Sequence, residues 1–307
     1  MNSIEDSSPS RPGCPGSTES KIRRYDRVLG PEETDQVVVE EPLEIRVDGA
    51  PFATLLRTPG QDTNLALGFL YAEGVIDCRS DIGALSLCGR DALAEPGGGS
   101  DVPVDDSLAN IVDLLPADPE RKIIPPARQG VSVSSCGVCG KRSIAEAMAL
   151  TPPASAEPGA SPDPWLDPGL IGKLPERLKS GQEIFRRTGA LHAAGIFDTQ
   201  GELLFLSEDI GRHNAVDKII GAALLEELLP VNQCILQVSG RVSFEIVQKA
   251  YRAGIPAISA VSGVSNLSIS LARTIGLVLA GFVREEKYCL YSAGSCLLDA
   301  PPGELET

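Results

Sequence analysis

The hydrophobic pattern changes its period along the chain. Near the start it is close to two: the run Val37-Val38-Val39 is followed by Leu43-Glu44-Ile45-Arg46-Val47 and then by Phe52–Leu56. Alternation of this kind predicts strands with one buried face. Asp48-Gly49, between the last two runs, supplies the turn of a hairpin. Asp62 or Thr63 is placed to cap a helix over Leu65–Ala72 that ends at Gly74. Glu95–Asp106, rich in Gly, Pro and Asp, reads as a loop, and strand-like residues resume over Leu108–Leu115 and in the run into Cys136. Residues 1–20 are rich in Ser, Pro and Gly and read as a disordered tail. Thr151–Gly169 holds six prolines and reads as a linker or insertion between two lobes.

Beyond that segment helical and strand periods alternate. Leu174–Arg187 predicts a helix; Leu191–Phe197 and Glu202–Leu206 predict strands around a turn at Asp198–Gly201. Val216, Ile219, Ile220, Ala223 and Leu224 fall on one helical face. Cys234–Val238 and Pro256–Val261 read as short strands, each followed by a helix, and Leu277–Val283 and Tyr288–Tyr291 as the last strands. The alternation predicts an α/β domain of three layers with an at least partly parallel sheet, preceded by a smaller N-terminal β-rich α+β lobe. The expected divisions are 21–150 for the first lobe, 151–169 for the linker, 170–291 for the α/β domain and 292–307 for a C-terminal tail.

Charge and cysteine content narrow the function classes. The net charge of −15 over 307 residues argues against non-specific nucleic-acid binding, which needs a basic surface. No apolar run is long enough to span a bilayer, and the N-terminus lacks the apolar core of an export signal. Eight cysteines in a long chain of this kind are expected to be free thiols in a reducing, cytoplasmic setting, with Cys234 a plain core residue.

Three stretches carry candidate chemistry. Val133-Ser-Ser-Cys-Gly-Val-Cys-Gly-Lys-Arg142 places Cys136 and Cys139 in a C-x-x-C pair ahead of a helix-like segment, Ser143–Leu150. The helix N-terminus and the charges of Lys141 and Arg142 favour thiolate, the reactive form. Such a pair can share a metal, form a disulfide or pass sulfur. A structural zinc would need two further ligands. The second stretch, Ser207–Lys218, sets Glu208, Asp209, Arg212, His213, Asn214, Asp217 and Lys218 between a strand and a helix, as a pocket wall or a solvated loop. The third is a pair of like-built strand-to-helix junctions, Ser239-Gly240-Arg241 and Ser262-Gly263. Both suit phosphate oxygens, with Arg241 as a charged fork, and both also suit plain helix caps. His192, behind Arg186-Arg187-Thr188-Gly189, is the only other histidine besides His213, and either a pocket or a structural role fits it. A dinucleotide G-x-G-x-x-G and a zinc-deaminase signature are both absent.

In combination these motifs resemble a known family. Ser-Ser-Cys136-Gly-Val-Cys139-Gly, Thr188-Gly-Ala-Leu-His192-Ala-Ala, Glu208-Asp-Ile-Gly-Arg-His-Asn-Ala-Val-Asp-Lys218, Ser239–Lys249 and Ala257–Leu267 occur in the order found in the formate dehydrogenase accessory sulfurtransferase family (FdhD). The resemblance runs from about Arg23 to Tyr291. Ala190 departs from it, since the family often has glycine there, and Thr151–Gly169 looks like an insertion specific to this chain. The resemblance implies a C-terminal domain similar to the cytidine-deaminase-like fold without its zinc, and a sulfurtransferase activity. A cysteine desulfurase would load Cys136 with a persulfide, with Cys139 as partner thiol. The sulfur would pass to the molybdenum of the bis(molybdopterin guanine dinucleotide) cofactor, held as a ligand, to make formate dehydrogenase active. Ser259, Ala260, Val261, Ser262, Gly263 and Val264 match the family's cofactor-binding segment, with Arg241, His192 and His213 as further contacts. No metal held by the protein itself, no nucleic acid and no membrane partner are implied, and a homodimer is. A chaperone of the cofactor or of the apo-enzyme, and a thiol–disulfide oxidoreductase, are the competing classes.

Overall fold

The computed structural model describes residues 16–88, 110–118 and 164–298. It opens on a hairpin that the sequence pattern misses, β1 (Ser17–Asp26) against β2 (Val28–Val38). The expectation of a disordered tail up to residue 20 therefore fails from Ser17 onward. Apart from Val37 and Val38 at the end of β2, already read as strand-like, these strands are largely polar and lie mostly exposed, so no hydrophobic alternation announces them. Cross-strand contacts such as Arg24 with Glu33 at 2.5 Å and Asp35 at 2.8 Å accompany the pairing.

The second hairpin is the predicted one. β3 (Glu41–Val47) pairs antiparallel with β4 (Ala50–Arg57) across a turn in which Asp48 and Gly49 both take positive φ. α1 (Asp62–Ala72) follows, without the expected cap. Gln61 precedes it in a left-handed conformation, and the Asp62 carboxylate instead lies 2.8 Å from the buried guanidinium of Arg57. β5 (Ile82–Cys88) and β6 (Ile111–Pro116) complete a four-stranded sheet in the order β4-β3-β6-β5, whose apolar face packs on α1.

The second lobe begins earlier and ends later than the pattern predicts. Trp165 and Leu166 both donate their backbone N–H to the carbonyl of Cys296 at 2.8 Å, and Leu166 and Cys296 are fully buried. Residues 164–169 and 292–298 thus belong to this lobe, because their apolar side chains find a place under its sheet. Residues 151–163 lie outside the described residues. Asp167 caps the short α2 (Pro168–Ile171). The single helix expected over Leu174–Arg187 is two, α3 (Leu174–Gly181) and α4 (Glu183–Thr188), separated by Gln182 in an extended conformation.

The remaining elements are β7 (His192–Phe197), β8 (Leu203–Asp209), α5 (Arg212–Leu225), β9 (Ile235–Val238), α6 (Phe244–Arg252), β10 (Ala257–Ala260), α7 (Asn266–Ile275), β11 (Val278–Arg284) and β12 (Lys287–Ser292). The strands form one mixed sheet, β12-β11-β10-β9-β7-β8, in which β9, β10 and β11 are mutually parallel and the other pairings antiparallel. Alternate residues divide between its faces. Ala194, Ile196, Leu236 and Ile258 join the core with α5, α6 and α7, whereas Ala193, Phe197, Ile235 and Ala257 join Leu170, Leu174 and Leu178. The fold is therefore mixed α/β, with its largest sheet covered on both faces.

The lobes meet where α1 crosses α5. A β-carbon at Gly68 would stand 1.8 Å from the carbonyl oxygen of Asp217, and one at Gly221 would stand 1.9 Å from that of Asn64. Glycine is needed at both places because the two backbones touch. One apolar core runs through the contact, from Leu43 and Ile45 in the first lobe to Leu236 and Ile258 in the second.

Candidate functional site

Strand direction assembles the site. β9 and β10 run parallel while β7 runs antiparallel to β9, so the start of β7 lies beside the carboxyl ends of β9 and β10. That edge is where ligands bind in open α/β sheets. It brings His192, at the head of β7, against the Ser239-Gly240-Arg241 junction. A β-carbon on Gly240 would stand 3.2 Å from Nδ1 of His192 and 3.3 Å from Cδ of Arg212, so glycine lets the histidine, the arginine and the loop backbone crowd together. The Ser239 hydroxyl accepts the N–H of Ala193 at 2.8 Å, and the Ser239 N–H donates to the Ala193 carbonyl at 2.9 Å. Its oxygen is engaged, while its own proton remains available. Arg241 is exposed and His192 half-buried. Burial, then the charges of Arg212 and Arg241, push the His192 imidazole below its usual range against a small opposing pull from Asp209. A neutral imidazole beside two guanidiniums makes an anion-seeking corner.

The two Ser-Gly junctions are joined to each other. Val242 and Val264 form a parallel bridge, with the Val242 N–H on the Gly263 carbonyl at 3.0 Å and the Ser265 N–H on the Val242 carbonyl at 3.1 Å. The helices begin after this bridge and not at the glycines. Ser243 precedes α6 and Ser265 caps α7, its hydroxyl accepting from Ser268 N–H. The expectation of helix N-termini opening directly on Ser239-Gly240 and Ser262-Gly263 is corrected to a paired loop ahead of both. Within Ser259–Val264, Ala260 is fully buried toward the helices and can offer a ligand only backbone. Val261 donates its N–H to the Val238 carbonyl. Ser262, Gly263 and Val264 are partly exposed, and the Ser259 hydroxyl, 1 % exposed, has no hydrogen-bond partner. A buried hydroxyl with no partner is costly, and it lies at the end of β10 where the loop begins.

His213 sits behind this surface. It is 1 % exposed, and its Nε2 lies 2.9 Å from the Ser243 hydroxyl and 3.1 Å from Glu245. Burial, with the charges of Lys249, Arg212 and His192, pushes its pKa down to about 3. A neutral ring donates Nε2–H toward the start of α6 and so positions that helix. Direct ligand contact, expected from the sequence, does not fit so buried a ring.

Most of the polar cluster Ser207–Lys218 serves the joint between the lobes. Lys218 Nζ reaches Asp209 at 2.8 Å and the Thr58 carbonyl at 2.9 Å. Asp209 accepts the N–H of Thr58 and the amide of Asn214, and Asn214 also donates to the Leu56 carbonyl. Glu208 accepts the N–H groups of Ile184 and Phe185 at 2.8 Å each, capping α4 from the neighbouring strand. Asp217 pairs with Lys249 at 2.6 Å inside the protein, where burial raises its pKa to about 6 against the pull of that lysine. A pocket role for Asp217 is thereby corrected to one between α5 and α6. Phe282, beside the site, was not singled out from sequence, whereas Arg212 belongs to the polar cluster already noted. Phe282 on β11 donates its N–H to the Ser262 carbonyl at 3.0 Å, and its ring lies 2.9 Å from where a Gly263 β-carbon would be.

Cys136 and Cys139 lie outside the described residues. Four other cysteines are free thiols: Cys78 and Cys289 exposed, Cys234 and Cys296 buried. Burial pushes the thiols of Cys234 and Cys296 up to about 11, so both remain protonated and inert near neutral pH, as expected of a core residue at Cys234. Among the described residues no three His, Cys, Asp or Glu side chains gather as a metal set, and no helix is long and apolar enough to cross a membrane.

Comparison with known proteins places the chain. Residues 38–297 match the FdhD/NarQ family. A protein of Mycobacterium tuberculosis named sulfur carrier protein FdhD is 42% identical over 267 residues, covering 87% of this chain and 92% of its own. One of the same name from Anaeromyxobacter dehalogenans is 44% identical over 276 residues, covering 86% and 88%. The crystal structure of a proposed formate dehydrogenase accessory protein from Desulfotalea psychrophila superposes with a TM-score of 0.68 at 22% identity, over 92% of this chain and 100% of that one. With its Ser-Gly junctions side by side at one sheet edge and relatives this similar along most of both chains, the protein belongs to the FdhD/NarQ family.

Proposed function

We propose that this protein is a sulfur carrier in the maturation of formate dehydrogenase, and that its α/β lobe holds the molybdenum bis(molybdopterin guanine dinucleotide) cofactor as the substrate of sulfur transfer. The observation that carries the reading is the likeness, at 42–44% identity over most of the chain, to proteins named as sulfur carriers. The described geometry adds support. A corner formed by His192, Arg212 and Arg241 beside two glycine junctions suits the phosphates of a dinucleotide, and the unpartnered Ser259 hydroxyl offers a further contact. The strand order, with one antiparallel member between the parallel set and β8, supports the likeness of this lobe to the cytidine-deaminase-like fold.

The chemistry falls to Cys136. Its thiolate attacks the terminal sulfur of a cysteine desulfurase persulfide. A sulfur–sulfur bond forms at Cys136 as the donor's breaks, and the donor leaves as thiolate. For delivery, the Cys139 thiolate attacks Sγ of Cys136, closing a disulfide and releasing the terminal sulfur as sulfide to the molybdenum. A dithiol reductant then restores both thiols. Free thiols at Cys78, Cys234, Cys289 and Cys296 support a reducing, cytoplasmic site of action.

Intact mass tests the loading step. Incubation with a cysteine desulfurase and cysteine is expected to add one sulfur, removed by a dithiol, and Cys136→Ala is expected to abolish both the adduct and formate dehydrogenase activation. Full activation by Cys136→Ala would replace sulfur transfer by a chaperone role.

A further inference from the structure

We propose that a cavity between the two lobes binds a free α-amino acid with an apolar side chain: its ammonium on Glu227, its carboxylate on Arg79, its side chain against Leu224 and Leu229. The cavity holds about 230 Å³. One wall is the segment after α1, where Asp77 pairs with Arg252 and where Cys78, Arg79 and Ser80 are exposed. The other is the C-terminal end of α5, with Leu224, Glu227 and Leu229. Arg212 and the strand-end site lie at the opposite end of this 14-residue helix, about 20 Å away. The cavity is therefore separate from the site described above. Its volume falls below the roughly 300–1,000 Å³ of drug-sized sites, so it admits one small molecule.

Glu227 points to a cationic ligand group. The Leu228 N–H donates to the Ala223 carbonyl at 2.9 Å and the Glu227 N–H to the Leu224 carbonyl at 3.1 Å, the pair of hydrogen bonds that ends a helix on a left-handed residue. Glycine costs least at that position, yet a glutamate holds it at a φ of 57°. The helix end gives no electrostatic reason for the choice. Its peptide dipoles are negative there, its last turn has no basic residue, and Glu226 and Glu227 add two like charges. A carboxylate kept against both strain and repulsion is accounted for by a cation that it binds. Arg79 lines the same cavity but does not meet this need: among the described residues neither Arg79 nor Glu227 makes an ion pair, and one guanidinium nitrogen of Arg79 faces the Ile82 carbonyl at 3.4 Å. Opposite charges that face one cavity without touching suit a molecule that carries both signs. The Ser80 hydroxyl, 3.0 Å from the Cys78 thiol, stands next to Arg79 for the same carboxylate. Leu224, 2% exposed, and Leu229 leave an apolar floor for the side chain.

The test uses the full chain and three probes, L-leucine, N-acetyl-L-leucine and L-leucinamide, with binding measured by calorimetry. L-leucine is expected to bind, and to slow alkylation of the exposed Cys78 by iodoacetamide, read on its peptide by mass spectrometry. Glu227→Gly is expected to weaken L-leucine about tenfold while unfolding at the same or a higher temperature than wild type, since glycine relieves the left-handed position. Loss of binding in that variant is therefore not loss of the fold. Arg79→Gln is expected to weaken L-leucine by a similar factor. Each probe lacking one charge should be blind to one change: N-acetyl-L-leucine to Glu227→Gly, and L-leucinamide to Arg79→Gln. Equal affinity of wild type and Glu227→Gly for L-leucine would overturn the ammonium contact and the proposal with it. So would a wild-type chain that gives no heat with L-leucine and no protection of Cys78.

Discussion

The histidine at position 213 shows how a residue that looks like a ligand contact in sequence can be a titrating part of the fold. Its ring is buried beside the positive charges of Lys249 and Arg212, and His192 adds to them once it is protonated in acid; with burial, the largest cause, these push its pKa down to about 3. An unfolded chain takes up that proton near 6.5. Below pH 6.5 the unfolded state binds more protons, so this group removes stability as pH falls toward 3, at up to about 1.4 kcal/mol per pH unit. Asp217 acts in the opposite sense. Its folded pKa is raised to about 6 from 3.8, so the folded state holds the extra proton between those values and gains stability as pH falls through them. From pH 6 to 4 the two contributions oppose each other. Urea unfolding of His213→Asn across this window should therefore show stability rising toward acid relative to wild type, and Asp217→Asn should show it falling. Parallel pH curves for wild type and His213→Asn would mean that the ring is protonated in the fold. Neither behaviour was legible in the sequence, because a histidine and an aspartate beside Arg, Asn and Lys read equally well as a pocket wall. Only the burial of α5 decides the matter.

At the scale of elements the crossing of α1 and α5 rests on two glycines, each against the other helix's backbone. Side-chain rearrangement cannot relieve a β-carbon 1.8 Å from a carbonyl oxygen, so the helices would have to part and open the core around them. Gly68→Ala and Gly221→Ala are expected to lose more than about 4 kcal/mol each. Gly49→Ala, at a φ of 73° with nothing within 4 Å, should lose only about 1–2 kcal/mol. Comparable denaturation midpoints for Gly68→Ala and Gly49→Ala would show that the helices do not touch there. The sequence pattern predicted the helices themselves, since hydrophobic spacing over Leu65–Ala72 and Val216–Leu224 is strong. It did not predict the contact, because a glycine inside a helical run looks like a weakness until its neighbour is known. The β5 strand escaped for a related reason: Gly83, Ala84 and Ser86 interrupt its apolar pattern. The helix over Leu174–Arg187 reads as one in sequence because Gly181-Gln182 is a mild break, fixed by Glu208 reaching in from β8.

For the whole molecule the pattern predicted two lobes joined by a proline-rich linker, and the structure shows two sheets that share one apolar core. The candidate site was legible where chemistry repeats along the chain, at Ser239-Gly240-Arg241 and Ser262-Gly263, and hidden where strand pairing alone supplies a neighbour, at Phe282. A motif can reveal a loop, but it cannot reveal what a neighbouring strand lays beside it. The same limit hid the joint, in which Lys218 of one lobe holds the Thr58 carbonyl of the other while neutralising Asp209. Tyr71 and Arg252 add a second tie, the tyrosine hydroxyl donating to the Arg252 carbonyl at 2.8 Å and the guanidinium pairing with Asp77. One apolar core, crossed by hydrogen bonds and an ion pair that join the two sides, should unfold as one unit. Lys218→Met makes this measurable. It leaves Asp209 charged and buried, a loss of about 3–5 kcal/mol when one partner of a buried pair is removed. Native-state hydrogen exchange should then report the same drop in opening free energy for the slowest amides of β3, in the first lobe, and of β10, in the second. A drop confined to β3 would mean that the N-terminal lobe opens on its own. The strand ends that carry the candidate site would then owe their arrangement to the second lobe alone.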